Sequence, residues 1–191
     1  FASQYIVEQM TEGTNTLAIG QIGVGNWGRA LLRNFSSLEG VRVKSLCDKN
    51  PEMLKRVRSE HPHAAFTTSA EEVLMDNEIE AVVIAAPSTE HSWLTKSALD
   101  AGKHVFVEKP MALTSKAARE VVGLASQRKK IIMVGHLLRY HPAYVKVAEI
   151  IESGELGEIH YMYSTRVNLG VYRDTENALI SLAPHDIATA F

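Results

Sequence analysis

Two short motifs carry the residues that could do chemistry. Gly23-Val24-Gly25-Asn26-Trp27-Gly28 directly follows the apolar run from Leu17 to Ile22. Glu108-Lys109-Pro110 follows the apolar run from His104 to Val107, about eighty residues later. The first has the shape of a loop that cradles a dinucleotide pyrophosphate. Gly23 allows a tight exit from a strand, Gly25 lets the backbone approach phosphate, and Gly28 lets the next helix pack close to the sheet. The helix start, at Asn26 and Trp27, offers amides and positive partial charge to the phosphates. Asp48 ends the next apolar run, about twenty residues past Gly28, where a ribose ligand is expected. Its carboxylate accepts from ribose hydroxyls and repels a ribose phosphate, which favours NAD over NADP; Lys49 beside it softens that repulsion. Lys109 stands where an open α/β sheet places its active site. It is the expected acid/base that takes a proton from an alcohol as hydride leaves, or returns it in reduction. Read together, these motifs describe a nicotinamide-dependent oxidoreductase. The alternative for Lys109 is a solvated surface lysine ahead of a proline that ends a strand.

Three further sites are less decisive. Ala86-Pro87-Ser88-Thr89 is either a wall beside the nicotinamide or a loop that caps the next helix, and the two roles are compatible. His91 falls in the first turn of that helix, where a surface or capping role is the commoner one. Glu108 pairs with Lys109 or, by strand alternation, faces the other way. In Ala183-Pro184-His185-Asp186, His185 is either a partner of Lys109 in proton transfer or a plain helix-start residue, with Asp186 favoured there by the dipole. No group of His, Cys, Asp and Glu has metal-ligand spacing, and no Ser/His/Asp order suggests a triad.

The elements that must position these residues follow from the pattern. Strands are expected at Leu17–Ile22, Val41–Cys47, around Phe66, at Ala81–Ala86, His104–Val107 and Ile131–Val134. Helices are expected at Asn26–Leu38, from Pro51, from a capping box at Ser69 and Glu72, at Thr89–Ala101 before Gly102, and at Thr114–Gln127. Near-continuous apolar strands alternating with helices give a doubly wound parallel sheet covered on both faces. After Gly135 the pattern changes. A helix is expected at Pro142–Ile151, a half-exposed strand at His160–Asn168, and a helix from about His185. The expected organisation is therefore a leader of uncertain order over 1–16, a dinucleotide domain over 17–140, and the start of an incomplete α+β second domain over 141–191.

Bulk properties set the class. The 191 residues are 46% hydrophobic and 22% charged, ordinary values for a globular protein. A net charge of -2 argues against a dedicated nucleic-acid or membrane-surface binder. One cysteine, Cys47, excludes an intrachain disulfide and fits a reducing cytoplasm. No apolar run is long enough to span a bilayer, and no signal peptide is recognisable.

The chain resembles the glucose-fructose oxidoreductase/inositol dehydrogenase (Gfo/Idh/MocA) family from about Leu17 to Phe191. The matching elements are the Gly23 loop, Asp48, Ala86-Pro87-Ser88-Thr89-Glu90-His91, the run from Ala101 through Glu108-Lys109-Pro110, and Met133-Val134-Gly135-His136. The resemblance implies a Rossmann domain, NAD or NADP as cofactor, and a sugar hydroxyl or ketone as the reacting group. It makes Lys109 the acid/base, often followed by a cis peptide, and His185 the catalytic histidine. Cofactor contacts are implied for Gly23, Gly25, Asn26, Trp27, Gly28, Asp48, Lys49, Ala86, Pro87, Ser88, His91, Glu108, Lys109 and Arg166. Substrate contacts are implied for Lys109, His136, Arg139, Tyr140, Arg166, Asn168 and His185. Tyr163 to Gly170, Glu176 to Leu179 and Leu182 to Ile187 look like the branch that oxidises C3 of UDP-N-acetylglucosamine or its uronate, for amino sugars of surface polysaccharides. Ser181, where many members carry aspartate, fits that branch. Family members are commonly homodimers or homotetramers built through their second domains. The other functions that fit are a free-sugar or polyol dehydrogenase and a non-catalytic dinucleotide-binding protein.

Overall fold

The computed structural model describes residues 16–165 and 177–190. The chain divides into two units, one through Gly135 and one from His136. Residues 1–15 of the expected leader, with Arg166 and Asn168, lie outside the described residues.

The first unit alternates strands and helices. In order they are β1 (Leu17–Ile22), α1 (Asn26–Ser36), β2 (Val41–Cys47), α2 (Pro51–Arg58), β3 (Ala65–Thr67) and α3 (Ala70–Met75). There follow β4 (Ala81–Ile84), α4 (Ser88–Asp100), β5 (His104–Val107), α5 (Ser115–Arg128) and β6 (Ile132–Val134). All strand pairs are parallel, in the order β3-β2-β1-β4-β5-β6. The chain winds outward from β1 to β3, then returns to pair β4 with the other side of β1. The α/β, doubly wound expectation is met.

Each sheet face has its own core. Ile84, Leu94, Leu99, Val107 and Val121 pack on one side. Leu17, Ile19, Leu31, Phe35 and Phe106 pack on the other, where Phe35 and Phe106 meet edge-on at 5.3 Å. A fully buried residue such as Leu99 contributes about 2 kcal/mol. Local signals set the helix ends. Asn50 accepts from the Glu52 amide ahead of Pro51, which takes the first helical turn. Gly102, at φ +75°, ends α4 as expected, because that left-handed conformation costs glycine nothing. Ser69 makes no side-chain cap bond, so the expected capping box is not formed. Its amide instead donates to the Thr67 hydroxyl. Sheet pairing also ends β4 at Ile84, two residues before the apolar run does.

The second unit has a 3₁₀ turn (Leu137–Tyr140), α6 (Pro142–Glu152) and α7 (Ala178–Ala190). Two expectations fail here. Of the strand expected at His160–Asn168, residues 160–165 form none and the rest lies outside the described residues; alternation alone does not make a strand, because a strand needs a ladder partner. α7 begins at Ala178, well ahead of His185. The side chain of Asn177 accepts from the Ile180 amide and caps the helix there, so Pro184 lies inside the helix and His185 is not in its first turn.

Candidate nucleotide site at the carboxyl edge of the sheet

β1 and β4 are neighbours whose following helices are reached in opposite winding directions. In such sheets the crevice outside the carboxyl ends of these strands is the ligand position. The loop after β1 is built for close approach. Gly23 has φ +96°, and a Cβ there would strike the Ala85 carbonyl. A Cβ on Gly28 would strike the Gly23 carbonyl. Gly25 differs, since a Cβ there would meet nothing within 4 Å. Gly25 is also the N-cap of α1 and supplies no side-chain cap, so the helix start presents its amides to an open space. Asn26 and Trp27 begin α1 and are exposed.

Beneath this loop sits a residue the motif reading passed over. Gln21 is fully buried, and its Nε2 donates to the carbonyls of Gly23 at 2.8 Å and Gly28 at 2.7 Å. The available signal was one amide side chain inside an otherwise apolar strand, two residues before the first glycine.

Asp48 stands at the end of β2. Its Oδ2 accepts from the Val24 amide at 2.9 Å and its Oδ1 from the Asn50 amide at 2.9 Å. Each oxygen keeps a lone pair for a further donor. Lys49 is directed away from that role, with its amine 3.0 Å from Glu90 Oε2. The Trp93 indole also donates to this oxygen. Lys49, then Trp93, hold the Glu90 carboxyl below the usual range.

After β4 come Ala86, half-buried, and Pro87, exposed. Ser88 is buried, and its hydroxyl has no partner among the described residues. His91 is no surface histidine. Its side chain is buried, with Nδ1 2.7 Å from the Pro110 carbonyl and Nε2 2.8 Å from the Ala86 carbonyl. Both ring nitrogens thus lie within hydrogen-bond distance of the protein's own backbone carbonyls.

After β5, Glu108 turns inward, 7% exposed, while Lys109 is half-buried. The Lys109-Pro110 peptide is cis. Burial pushes the Glu108 carboxyl up, against the opposing effects of Trp27, the Lys109 amide and the charges of Lys109 and His91. Glu108 Oε1 has no hydrogen-bond partner among the described residues. A Cβ on Gly135 would lie 2.6 Å from it, so the space Glu108 occupies exists because residue 135 is glycine.

In the second unit, Arg139 donates to the Ala188 carbonyl at 2.9 Å, satisfying a carbonyl near the end of α7. Tyr140 is exposed, and His136 and His185 are half-buried. Thr189 donates back to the carbonyls of His185 and Asp186, and Ser164 pairs with Asp186. Among the described residues no cluster of His, Cys, Asp and Glu can hold a metal ion, and no helix is long and apolar enough to cross a membrane.

A dinucleotide fits the first unit. The open side of Gly25, the uncapped start of α1, the spare acceptors of Asp48 and the orphaned Ser88 hydroxyl all lie in loops at one sheet edge. The model of an oxidoreductase family with an NAD-binding Rossmann fold matches residues 17–136. The chain belongs to this family, Gfo/Idh/MocA. Family relatives include the inositol 2-dehydrogenase of Salmonella paratyphi B, 28% identical over 177 residues, 90% of this chain and 53% of that protein. Another is the 1-carboxy-3-chloro-3,4-dihydroxycyclo hexa-1,5-diene dehydrogenase of Comamonas testosteroni, 29% identical, with 82% of this chain and 40% of that protein covered. Among solved structures, scyllo-inositol dehydrogenase from Lactobacillus casei with bound NAD(H) and scyllo-inositol superposes with a TM-score of 0.71. It is 26% identical, with 75% of this chain and 43% of that one covered. The chain spans about half the length, or less, of the curated relatives it matches.

Proposed function

We propose that this chain serves an NAD-dependent dehydrogenase acting on a ring CH–OH group. One observation supports this above the others: the glycine loop after β1 and Lys109 after β5 lie at the same carboxyl edge of one sheet, separated only by β4. When bound, NAD supplies the hydride acceptor at nicotinamide C4. The loop amides from Gly23 to Gly28 hold the pyrophosphate, Asp48 accepts from the adenosine ribose, and Ala86, Pro87 and Ser88 form a wall. Lys109 takes the hydroxyl proton of the substrate. His185 assists, with His136, Arg139, Tyr140, Arg166 and Asn168 contacting substrate. A bidentate arginine suits a carboxylate or phosphate there.

The substrate we put first is C3 of a UDP-N-acetylhexosamine or its uronate, on the residues from Tyr163 to Ile187 that resemble that branch. A second reading, a free cyclic polyol, is favoured by the inositol dehydrogenases among the relatives. We place the protein in the cytoplasm as a homodimer or homotetramer, with no nucleic-acid partner. The test incubates the full-length protein with NAD and each of UDP-N-acetylglucosaminuronate, UDP-N-acetylglucosamine and myo-inositol, and follows reduced cofactor. Turnover that disappears in Lys109→Ala supports the reading. Cofactor binding without turnover of any of the three would overturn these substrate assignments and leave another polyol or a non-catalytic binding protein.

A further inference from the structure

His91 joins two loops that flank the site. Ala86 belongs to the segment after β4, and Pro110 directly follows Lys109. Their carbonyl oxygens lie 2.8 Å and 2.7 Å from opposite nitrogens of one buried imidazole. Both partners are backbone carbonyls, which only accept, and a ring nitrogen that carries a proton donates to the one it faces. A planar ring between two acceptors sets the separation of the two loops. The ring itself is anchored, because it sits in the first turn of α4, whose Leu94, Thr95, Ala98 and Leu99 are buried. A helix rooted in the core is a stiffer mount for a site than a loop. Lys109 lies past the end of β5, in a turn whose next carbonyl is the one His91 contacts.

We infer that His91 is a positioning residue for Lys109: it fastens the Lys109-Pro110 turn to the loop after β4 and so fixes where the lysine amine stands. The inference rests on the reading of Lys109 as the acid/base. It assigns His91 a role inside the protein and not at the cofactor surface. A displacement of about 1 Å in a reacting group costs on the order of 100-fold in rate, which is the effect expected when this tie is cut.

The experiment compares full-length wild type with His91→Phe, which fills the volume without donors, and His91→Gln, whose single amide nitrogen reaches one carbonyl. Lysines are reductively methylated with ¹³C, and the Lys109 signal is assigned by its absence from Lys109→Arg. NAD affinity is read from tryptophan fluorescence, and turnover is measured with the three substrates named above. The expected result is a displaced Lys109 signal in His91→Phe and a kcat lower by about 100-fold. NAD affinity should stay within about threefold of wild type. His91→Gln should fall between the two. An unmoved Lys109 signal in any folded His91 variant overturns the proposal. So does a loss of NAD affinity as large as the loss of kcat, which would return His91 to the cofactor surface. If wild type turns over none of the substrates, those substrate assignments fail, yet the Lys109 signal still decides whether His91 places the lysine. Should His91→Phe not fold, His91→Gln gives the same decision from its Lys109 signal.

Discussion

The side-chain amide of Gln21 and the backbone carbonyl of Gly28 are bonded at 2.7 Å beneath the glycine loop, and the same nitrogen reaches Gly23. One residue of β1 thus ties together both ends of the turn that follows it. Gln21→Met keeps the length and removes the donor, leaving two carbonyls short of a partner. The expected loss is about 2 kcal/mol of stability, with NAD affinity weakened on the order of tenfold as the loop loosens. Denaturant titration and calorimetry with NAD measure both. A variant as stable as wild type would show that the bonds are incidental.

Gly23 and Gly25 should separate folding from binding. At Gly23 an alanine meets both a positive φ and the Ala85 backbone, and Gly23→Ala should cost more than about 2 kcal/mol. At Gly25 the space is empty. Gly25→Ala should cost at most about 1 kcal/mol as a poorer N-cap, yet weaken NAD at least tenfold because its methyl occupies the ligand's approach. Equal effects on stability and affinity at both positions would contradict the picture of a preformed cradle.

Cofactor choice should respond to Asp48 and to the ion pair beside it. Asp48→Asn removes the charge that opposes a ribose phosphate and should improve NADP binding on the order of tenfold relative to NAD. Adding Glu90→Gln releases Lys49 from its 3.0 Å contact and should shift the ratio further the same way. Parallel titrations with NAD and NADP give the ratio directly, and a ratio unmoved by both changes would remove Asp48 from the ribose site.

Glu108 carries a pH signature of definite sign. Its carboxyl is pushed up by burial, so folding favours the protonated form. Its contribution to stability is fully present below its unfolded value, about 4.3, and is lost as pH rises through the folded value. Glu108→Gln keeps the shape and cannot ionise. Its stability relative to wild type should therefore grow from pH 4 to pH 8, read from denaturation midpoints across that range. Parallel curves would show that the carboxylate is accommodated without cost.

Much of this was readable from residue order, and the reasons are local. The glycine loop, Asp48 and the apolar strands depend on short-range rules of turn and pattern, and they stand where those rules put them. The unread parts depend on partners distant in sequence. His91 looks like an ordinary first-turn residue until Ala86 and Pro110 close on it. Gln21 looks like a flaw in an apolar strand until Gly23 and Gly28 turn back over it. Pro184 suggested a helix start, but Asn177 offered an earlier and better cap. From Tyr161 to Thr165 alternation is present but no ladder forms, because alternation records faces and not neighbours.

Gly135 and Glu108 divide one small volume between them, across two adjacent strand ends. The two positions are therefore not free to drift separately. A lineage that acquires alanine at 135 first meets a collision, whereas one that first shortens 108 to aspartate opens the room for it. The order of substitution, and not only its outcome, is written into the spacing of β5 and β6.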